Sequence, residues 1–146
     1  IQAEAQRALE VPSDTQVRRV GTERKGLRIL AVDDDPVSLR ILEHHLTKDG
    51  HTVQRAMNGR QALIMALESS PQMIVPDWNM PEMDGLELAK SLRRSNESRG
   101  TYILLLTGRE EEDRVVEAFD AGVDEYVVKP FNPKILLARV RAGQRM

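Results

Sequence analysis

Four acidic side chains stand directly after short apolar runs of the sequence. Asp33, Asp34 and Asp35 follow the run RILAV, and Asp77 follows MIVP. If both runs are strands of one parallel sheet, their carboxyl ends bring these carboxylates to the same rim. Like charges so close together destabilise one another unless a cation neutralises them. Ligands that are all oxygen predict a hard divalent cation, Mg²⁺ or Mn²⁺, and with it a phosphoryl group.

A hydroxyl and a cationic side chain are predicted at the same rim. Thr107 ends the run YILLLT, and Lys129 follows EYVV. A lysine there can pair with a carboxylate in the empty site and with phosphate oxygens in the filled one. A carboxylate can attack phosphorus to give an aspartyl phosphate, a reaction that depends chiefly on positioning and electrostatic stabilisation. Asp77 is therefore the candidate nucleophile.

The elements that must position these residues alternate along the chain. Strands are predicted in LRILAV, HTVQRAM, MIV, YILLLT and EYVV, and the helices that follow them are expected at 36–49, 59–69, 85–95, 110–121 and after 132. Runs that are apolar throughout are typical of parallel strands covered by helices on both faces. The predicted fold class is therefore α/β, with a five-stranded, doubly wound parallel sheet.

The chain of 146 residues has room for one domain and a short extension. Residues 1–26 read as a helical stub followed by a polar linker, and residues 27–146 as the domain, ending at the start of a connector. Because the sequence begins at Ile1 and stops just after a helical pattern, we expect it to be a piece of a longer protein whose output domain is missing.

Composition excludes several classes of function. A net charge of -2 provides no general field that would attract nucleic acid or an anionic membrane. No apolar run reaches the roughly 18 residues of a membrane span. The sequence has no cysteine, which excludes disulfides and thiolate metal sites and is compatible with a cytoplasmic location.

Four motifs together resemble the receiver domain of bacterial two-component response regulators: VDDDP, DWNMPEMDG, LLLTG and YVVKPF. The resemblance covers about residues 27–143 and implies a CheY-like sheet of strand order 2-1-3-4-5. It implies that a sensor histidine kinase or a phosphotransfer protein donates a phosphoryl group to Asp77. The Mg²⁺ ligands that it implies are Asp33, Asp34, Asp77 and the backbone carbonyl of Asn79.

The same resemblance implies how the site switches. Thr107 would turn toward the phosphate, Lys129 would bind it, and Tyr126 would swing inward. The peptide between Lys129 and Pro130 would be cis. The side chains that would tune hydrolysis of the aspartyl phosphate are those of Asn79 and Arg109. The signal would leave through the fourth helix, fifth strand and fifth helix, and a homodimer through the last helix and fifth strand is a hypothesis.

Other interpretations stay open at this point. Pro76 lies inside a predicted central strand, where proline is disfavoured because it donates no ladder hydrogen bond. It could shift Asp77, which leaves room for a receiver-like interaction module that is never phosphorylated. The sequence DDDPV at 33–37 also fits the DxDx(T/V) nucleophile motif of haloacid-dehalogenase-type phosphatases, although such enzymes usually need a larger core and a cap.

Simpler roles are expected for other residues. Asp35 is predicted to cap the first helix, and Trp78 to be a surface-loop aromatic. The three histidines lack the spacing of metal ligands. The ending KILLARVRAGQRM resembles the connector of regulators that carry a GGDEF diguanylate cyclase, but the chain has no GGDEF residues of its own.

Overall fold

The computed structural model describes residues 26–146, and the predicted stub and linker fall almost entirely outside them. The strands are β1 (Arg28–Val32), β2 (Thr52–Ala56), β3 (Met73–Pro76), β4 (Tyr102–Thr107) and β5 (Glu125–Val128). The helices are α1 (Pro36–Lys48), α2 (Gly59–Ser69), α3 (Gly85–Arg94), α4 (Val115–Asp120) and α5 (Pro133–Gln144), and a 3-10 helix (Arg109–Arg114) precedes α4.

The five strands form one parallel sheet in the order β2-β1-β3-β4-β5. The predicted fold class and strand order are therefore confirmed. The order reverses at β1, so the carboxyl ends of β1 and β3 flank the point where ligands bind in open α/β sheets. Among residues 26–146, no helix combines the length and the apolar character that crossing a lipid bilayer requires.

The central strands of the sheet are buried on both faces, which explains why they are almost uniformly apolar. Leu30 and Ile74 pack on one face with residues of α2, α3 and α4. Ile29 and Val75 point to the other face and pack with residues of α1 and α5. Neighbouring positions of a strand face opposite ways, so both faces of β1 and β3 meet apolar side chains.

Helix starts follow the sequence signals closely. Asp35 Oδ1 accepts the N–H of Val37 at 3.1 Å, which confirms Asp35 as the cap of α1. Asn132 Oδ1 accepts the N–H of Lys134 at 2.8 Å and caps α5. Both helices have proline at their first position, where its missing N–H costs nothing.

The fourth helix begins differently from the prediction. A continuous helix was expected from Glu110 to Ala121, but Arg109–Arg114 forms a 3-10 helix and α4 starts only at Val115. The sequence REEEDR offers no apolar side chain to hold an α-helix on the sheet, and Glu111 is its one buried residue. Tertiary packing, which supplies most helical stability, begins with the apolar residues of α4.

Charged side chains link the segments at the amino ends of the strands, at the rim opposite the predicted site. The guanidinium of Arg93 donates to the carbonyls of Gly122, Arg99 and Thr101 and to the carboxylate of Asp124, at 2.6–3.0 Å.

A second charged group lies at the same end of the sheet. His51 Nδ1 accepts the N–H of Leu27 at 3.0 Å, and Arg141 of α5 donates to Asp49 at 2.7 Å. Every charge named at this rim has an opposite charge or a backbone group beside it.

Candidate functional site

Two strand ends deliver the acidic cluster. Asp33 follows β1 and is 2 % exposed, Asp77 follows β3 and is 8 % exposed, and Asp34 points to solvent. One oxygen from each of these carboxylates lies within 4.8 Å of the others. The three acidic residues predicted as metal ligands are thus brought together.

Pro76 does not displace Asp77 from the rim. Asp77 donates its N–H to Val32 of β1 at 2.9 Å, and Trp78 donates to Leu106 of β4 at 2.9 Å. Because these donors alternate, the nitrogen of Pro76 faces β4, and pairing between β3 and β4 pauses after Ile74 and resumes at Asp77. The sheet loses one hydrogen bond at its carboxyl edge and holds Asp77 from both sides.

Lys129 bridges the two buried carboxylates. Its Nζ lies 3.1 Å from Asp77 Oδ1 and 3.7 Å from Asp33 Oδ2. Its backbone N–H donates to the carbonyl of Thr107 at 2.6 Å, which ties the end of β5 to the end of β4. The Lys129–Pro130 peptide is cis, as the resemblance to receiver domains implied.

Burial and like charge shape the electrostatics of this cluster. Burial raises the pKa of Asp77, against the hydrogen bond and charge of Lys129. Burial also raises the pKa of Asp33, against the N–H of Asp35 and the charge of Lys129. Burial alone would lower the pKa of Lys129, but Asp77 and Asp33 outweigh it and the pKa is raised. One lysine therefore does not fully compensate the buried negative charge.

Thr107 contributes a buried hydroxyl at the end of β4. The residue is fully buried, and within residues 26–146 its Oγ1 has no hydrogen-bond partner. An unsatisfied buried hydroxyl costs free energy and calls for an explanation, such as a ligand that it meets in another state. Tyr126, the predicted switch residue, lies on the neighbouring strand, where its ring packs edge-on against Phe119 with centroids 6.1 Å apart.

Two residues of the loop after Asp77 have different environments. Asn79, two positions after Asp77, is exposed. Trp78 was expected on the surface, but it is 1 % exposed and packs in the core, with the guanidinium carbon of Arg114 5.0 Å from the ring centroid. The surface assignment was wrong because the loop folds back over the end of the sheet.

Glu111 is a site residue that sequence reasoning missed. Its carboxylate accepts the side-chain N–H of Asn79 at 2.9 Å and the backbone N–H of Gly108 at 2.8 Å. The only sequence signal was its place in an acidic run at a helix start. Arg109, the other predicted tuning residue, is exposed.

The donor set fits a hard divalent cation. Three carboxylates converge, and the group contains no histidine or cysteine. Among residues 26–146, no other group of three or more potential acidic, histidine or cysteine ligands converges in this way. Oxygen ligands of this kind select Mg²⁺ or Mn²⁺ over softer metals.

Comparison with known proteins agrees with this geometry. Residues 29–141 match the family described as the response regulator receiver domain. The transcriptional regulatory protein SrrA of Staphylococcus aureus is 40 % identical over 114 residues, which are 78 % of this chain and 46 % of SrrA. The chain thus spans less than half the length of this curated relative.

Solved structures show the same fold. The chemotaxis response regulator CheY4 of Vibrio cholerae is 34 % identical, with a TM-score of 0.76 over 82 % of this chain and 99 % of that one. The receiver domain of the Francisella response regulator 1452 is 28 % identical, with a TM-score of 0.76 over 82 % of this chain and 98 % of that one. The chain therefore belongs to the response regulator receiver domain family.

Proposed function

We propose that Asp77 accepts a phosphoryl group from the phosphohistidine of a sensor histidine kinase or phosphotransfer protein. The observation that carries the proposal is the convergence of three carboxylates within 4.8 Å beside a lysine that contacts two of them. Mg²⁺ or Mn²⁺ would be held by Asp33, Asp34, Asp77 and the backbone carbonyl of Asn79. The bound cation would neutralise charge on the phosphoryl oxygens.

The residues of this chain have separate roles in the proposed transfer. A carboxylate oxygen of Asp77 forms a bond to phosphorus while the bond from phosphorus to the donor imidazole breaks, and the electron pair stays on that imidazole nitrogen. Lys129 stays protonated and moves from the carboxylates to the phosphoryl oxygens. Thr107 gains in the phosphorylated state the hydrogen bond that its buried hydroxyl lacks among the described residues.

The switch that follows is proposed for the neighbouring surface. Tyr126 would turn inward as Thr107 moves, which changes the face formed by α4, β5 and α5. Exposed apolar side chains are present on this face, among them Val116 and Ile135. A covalently attached output domain, or a second copy of the chain, would read the change there.

The identity of the output domain is a further part of the proposal. A GGDEF diguanylate cyclase is one candidate output; the relative SrrA is named as a transcriptional regulator. The domain itself would catalyse only its own phosphorylation and dephosphorylation. A cytoplasmic location stays a prediction from the sequence, and no contact with nucleic acid or membrane is proposed for this domain.

The test is intact-mass analysis after incubation with acetyl phosphate, with Mg²⁺ or with EDTA. We expect a gain of one phosphoryl group that requires Mg²⁺ and disappears in Asp77→Asn. Asp35→Asn is the matched control, because it changes a neighbouring acidic residue that caps α1, and it should still be phosphorylated. No gain in the wild-type chain would favour an unphosphorylated interaction module.

The phosphatase interpretation makes a different prediction in the same experiment. There the first residue of the DDDPV motif, Asp33, would carry the phosphoryl group. Asp33 is buried, and the contact of Lys129 is closer to Asp77 than to Asp33, at 3.1 against 3.7 Å. Peptide mapping that located the phosphoryl group on Asp33 would replace our proposal with that one.

A further inference from the structure

Glu111 joins the two loops that border the site. Its Oε1 accepts the N–H of Gly108, which directly follows Thr107, at 2.8 Å. Its Oε2 accepts the amide N–H of Asn79, two residues after Asp77, at 2.9 Å. The residue is 7 % exposed. A single buried carboxylate therefore links the loop after β3 to the loop after β4.

Glu87 provides an internal comparison. Both glutamates are third in their helices and accept the N–H of the residue that precedes the helix: Glu87 from Asp84 at 3.0 Å, and Glu111 from Gly108. Glu87 is exposed, whereas Glu111 is buried. Capping by a glutamate does not require burial, and burying a carboxylate costs free energy that only good partners offset. Capping therefore does not explain the hydrogen bond between Glu111 and Asn79.

Asn79 depends on this bond for its position. The neighbouring residues are held by backbone bonds, since Trp78 donates to Leu106 and Gly85 donates to the carbonyl of Trp78. Asn79 itself is exposed. Within residues 26–146 its side chain makes one tertiary hydrogen bond, the bond to Glu111. Without Glu111 the amide would turn to solvent and this peptide segment would lose its lateral support.

We infer that Glu111 is a positioning residue for the divalent-cation site. By holding the side chain of Asn79, it fixes the peptide segment that carries the proposed backbone-carbonyl ligand. The inference rests on the proposed function, in which that carbonyl is a ligand. Mg²⁺ demands near-ideal octahedral geometry, and loss of groups that orient its ligands typically costs a factor of about 10 to 100 in affinity.

The experiment is a Mg²⁺ titration of the whole chain, followed by the fluorescence of Trp78, the one tryptophan of the sequence. The Mg²⁺-dependent rise in melting temperature is the second readout. We expect Glu111→Ala to weaken Mg²⁺ binding about tenfold. Glu87→Ala, which removes the equivalent cap at an exposed helix start, should leave the Mg²⁺ affinity unchanged.

Glu111→Gln tests whether hydrogen bonding rather than bulk is responsible. The glutamine oxygen can accept from Gly108, and its NH₂ group can donate to Asn79 once the Asn79 amide turns over. This variant should bind Mg²⁺ within about twofold of the wild type. A merely structural role would lower the melting temperature in EDTA and leave the Mg²⁺ affinity where it was.

Asn79→Ala keeps the inference testable if Glu111→Ala fails to fold. It removes the same contact, keeps the backbone carbonyl and alters an exposed position, so it should fold and bind Mg²⁺ about tenfold more weakly. Equal Mg²⁺ affinity in Glu111→Ala, Glu87→Ala and the wild type would overturn the inference about Glu111 and leave the proposed function standing. Failure of the wild-type chain to bind Mg²⁺ would overturn the proposed function and the inference with it.

Discussion

The two rims of the sheet use charge in opposite ways. At the amino ends of the strands, Arg93 and Asp124 meet each other and a set of backbone groups at 2.6–3.0 Å. At the carboxyl ends, Asp33 and Asp77 share one lysine, and the Thr107 hydroxyl has no partner among the described residues. The paired charges of the amino rim stabilise the fold, whereas the excess of carboxylates at the carboxyl rim is suited to a cationic ligand.

The largest effect is expected at the amino rim, from Arg93→Ala. The side chain is 24 % exposed and donates to three carbonyls and a carboxylate. Removing it leaves these acceptors without their charged donor, which should lower the free energy of unfolding by about 3 kcal/mol. Urea denaturation measures this loss. Arg94→Ala, the exposed neighbour on the same helix, is the control and should change stability by less than about 0.5 kcal/mol.

Phosphorylation is expected to be insensitive to the same change. Arg93→Ala lies at the far end of the sheet, so the folded fraction should still take up phosphoryl from acetyl phosphate. A loss of phosphoryl uptake in fully folded Arg93→Ala would show that the two rims are coupled and would break the distinction between them.

Lys129→Ala should have the next largest effect on the metal-free protein. It leaves the buried carboxylates of Asp33 and Asp77 without their cation, and breaking a buried pair commonly costs about 3–5 kcal/mol. Because the lysine is 30 % exposed, solvent screening reduces the expected loss to about 2 kcal/mol. Urea denaturation in EDTA should show this loss, and the exposed Lys134→Ala should not. Equal stability of the two variants would mean that the carboxylates do not repel each other appreciably.

Mg²⁺ should stabilise the wild-type chain by a smaller amount. At ten times its dissociation constant, a ligand that binds only the folded state adds about 1.4 kcal/mol. Asp34→Asn should reduce this increment because it removes a proposed ligand from an exposed position. Arg93→Ala should retain the whole increment, since distant and independent sites contribute additively. A Mg²⁺ increment that is smaller in Arg93→Ala than in the wild type would contradict that independence.

The residues of the candidate site that lie at strand ends could be predicted from the sequence. Asp33, Asp77, Thr107 and Lys129 each follow or end an apolar run, and a parallel sheet must bring such positions to one rim. The strand order was not needed to identify these residues, but it explains why Asp33 and Asp77 are neighbours. Their convergence was therefore predictable before any distance was known.

Residues outside the strands were harder to predict. Trp78 and Glu111 have environments that depend on how the two loops fold over the end of the sheet, and neither loop has a periodic pattern. A tryptophan beside polar residues looks exposed, and a glutamate in the run EEED looks like a simple charged helix start. Burial of both arises from contacts between segments about 30 residues apart, such as the bond from Asn79 to Glu111.

The smallest expected effect is the pH dependence of the Mg²⁺ increment. Asp33 and Asp77 have pKa values raised by burial from an ordinary value of 3.8. Metal-free, these groups bind protons more tightly when folded than when unfolded. The stability that they contribute is therefore fully present below pH 3.8 and is lost as the pH rises through the raised pKa values.

The stabilisation that Mg²⁺ provides has the opposite dependence on pH, because Mg²⁺ binds the ionised carboxylates and must displace any bound proton. At fixed Mg²⁺, the increment in unfolding free energy should grow as the pH rises from 3.8 through the raised pKa values, and level off once both groups are ionised. Denaturation with Mg²⁺ or EDTA at each pH measures it. Asp77→Asn should flatten the profile, whereas Arg93→Ala should not. An increment independent of pH in the wild type would mean that Asp33 and Asp77 are already fully ionised before the cation binds, and that Lys129 alone compensates their charge.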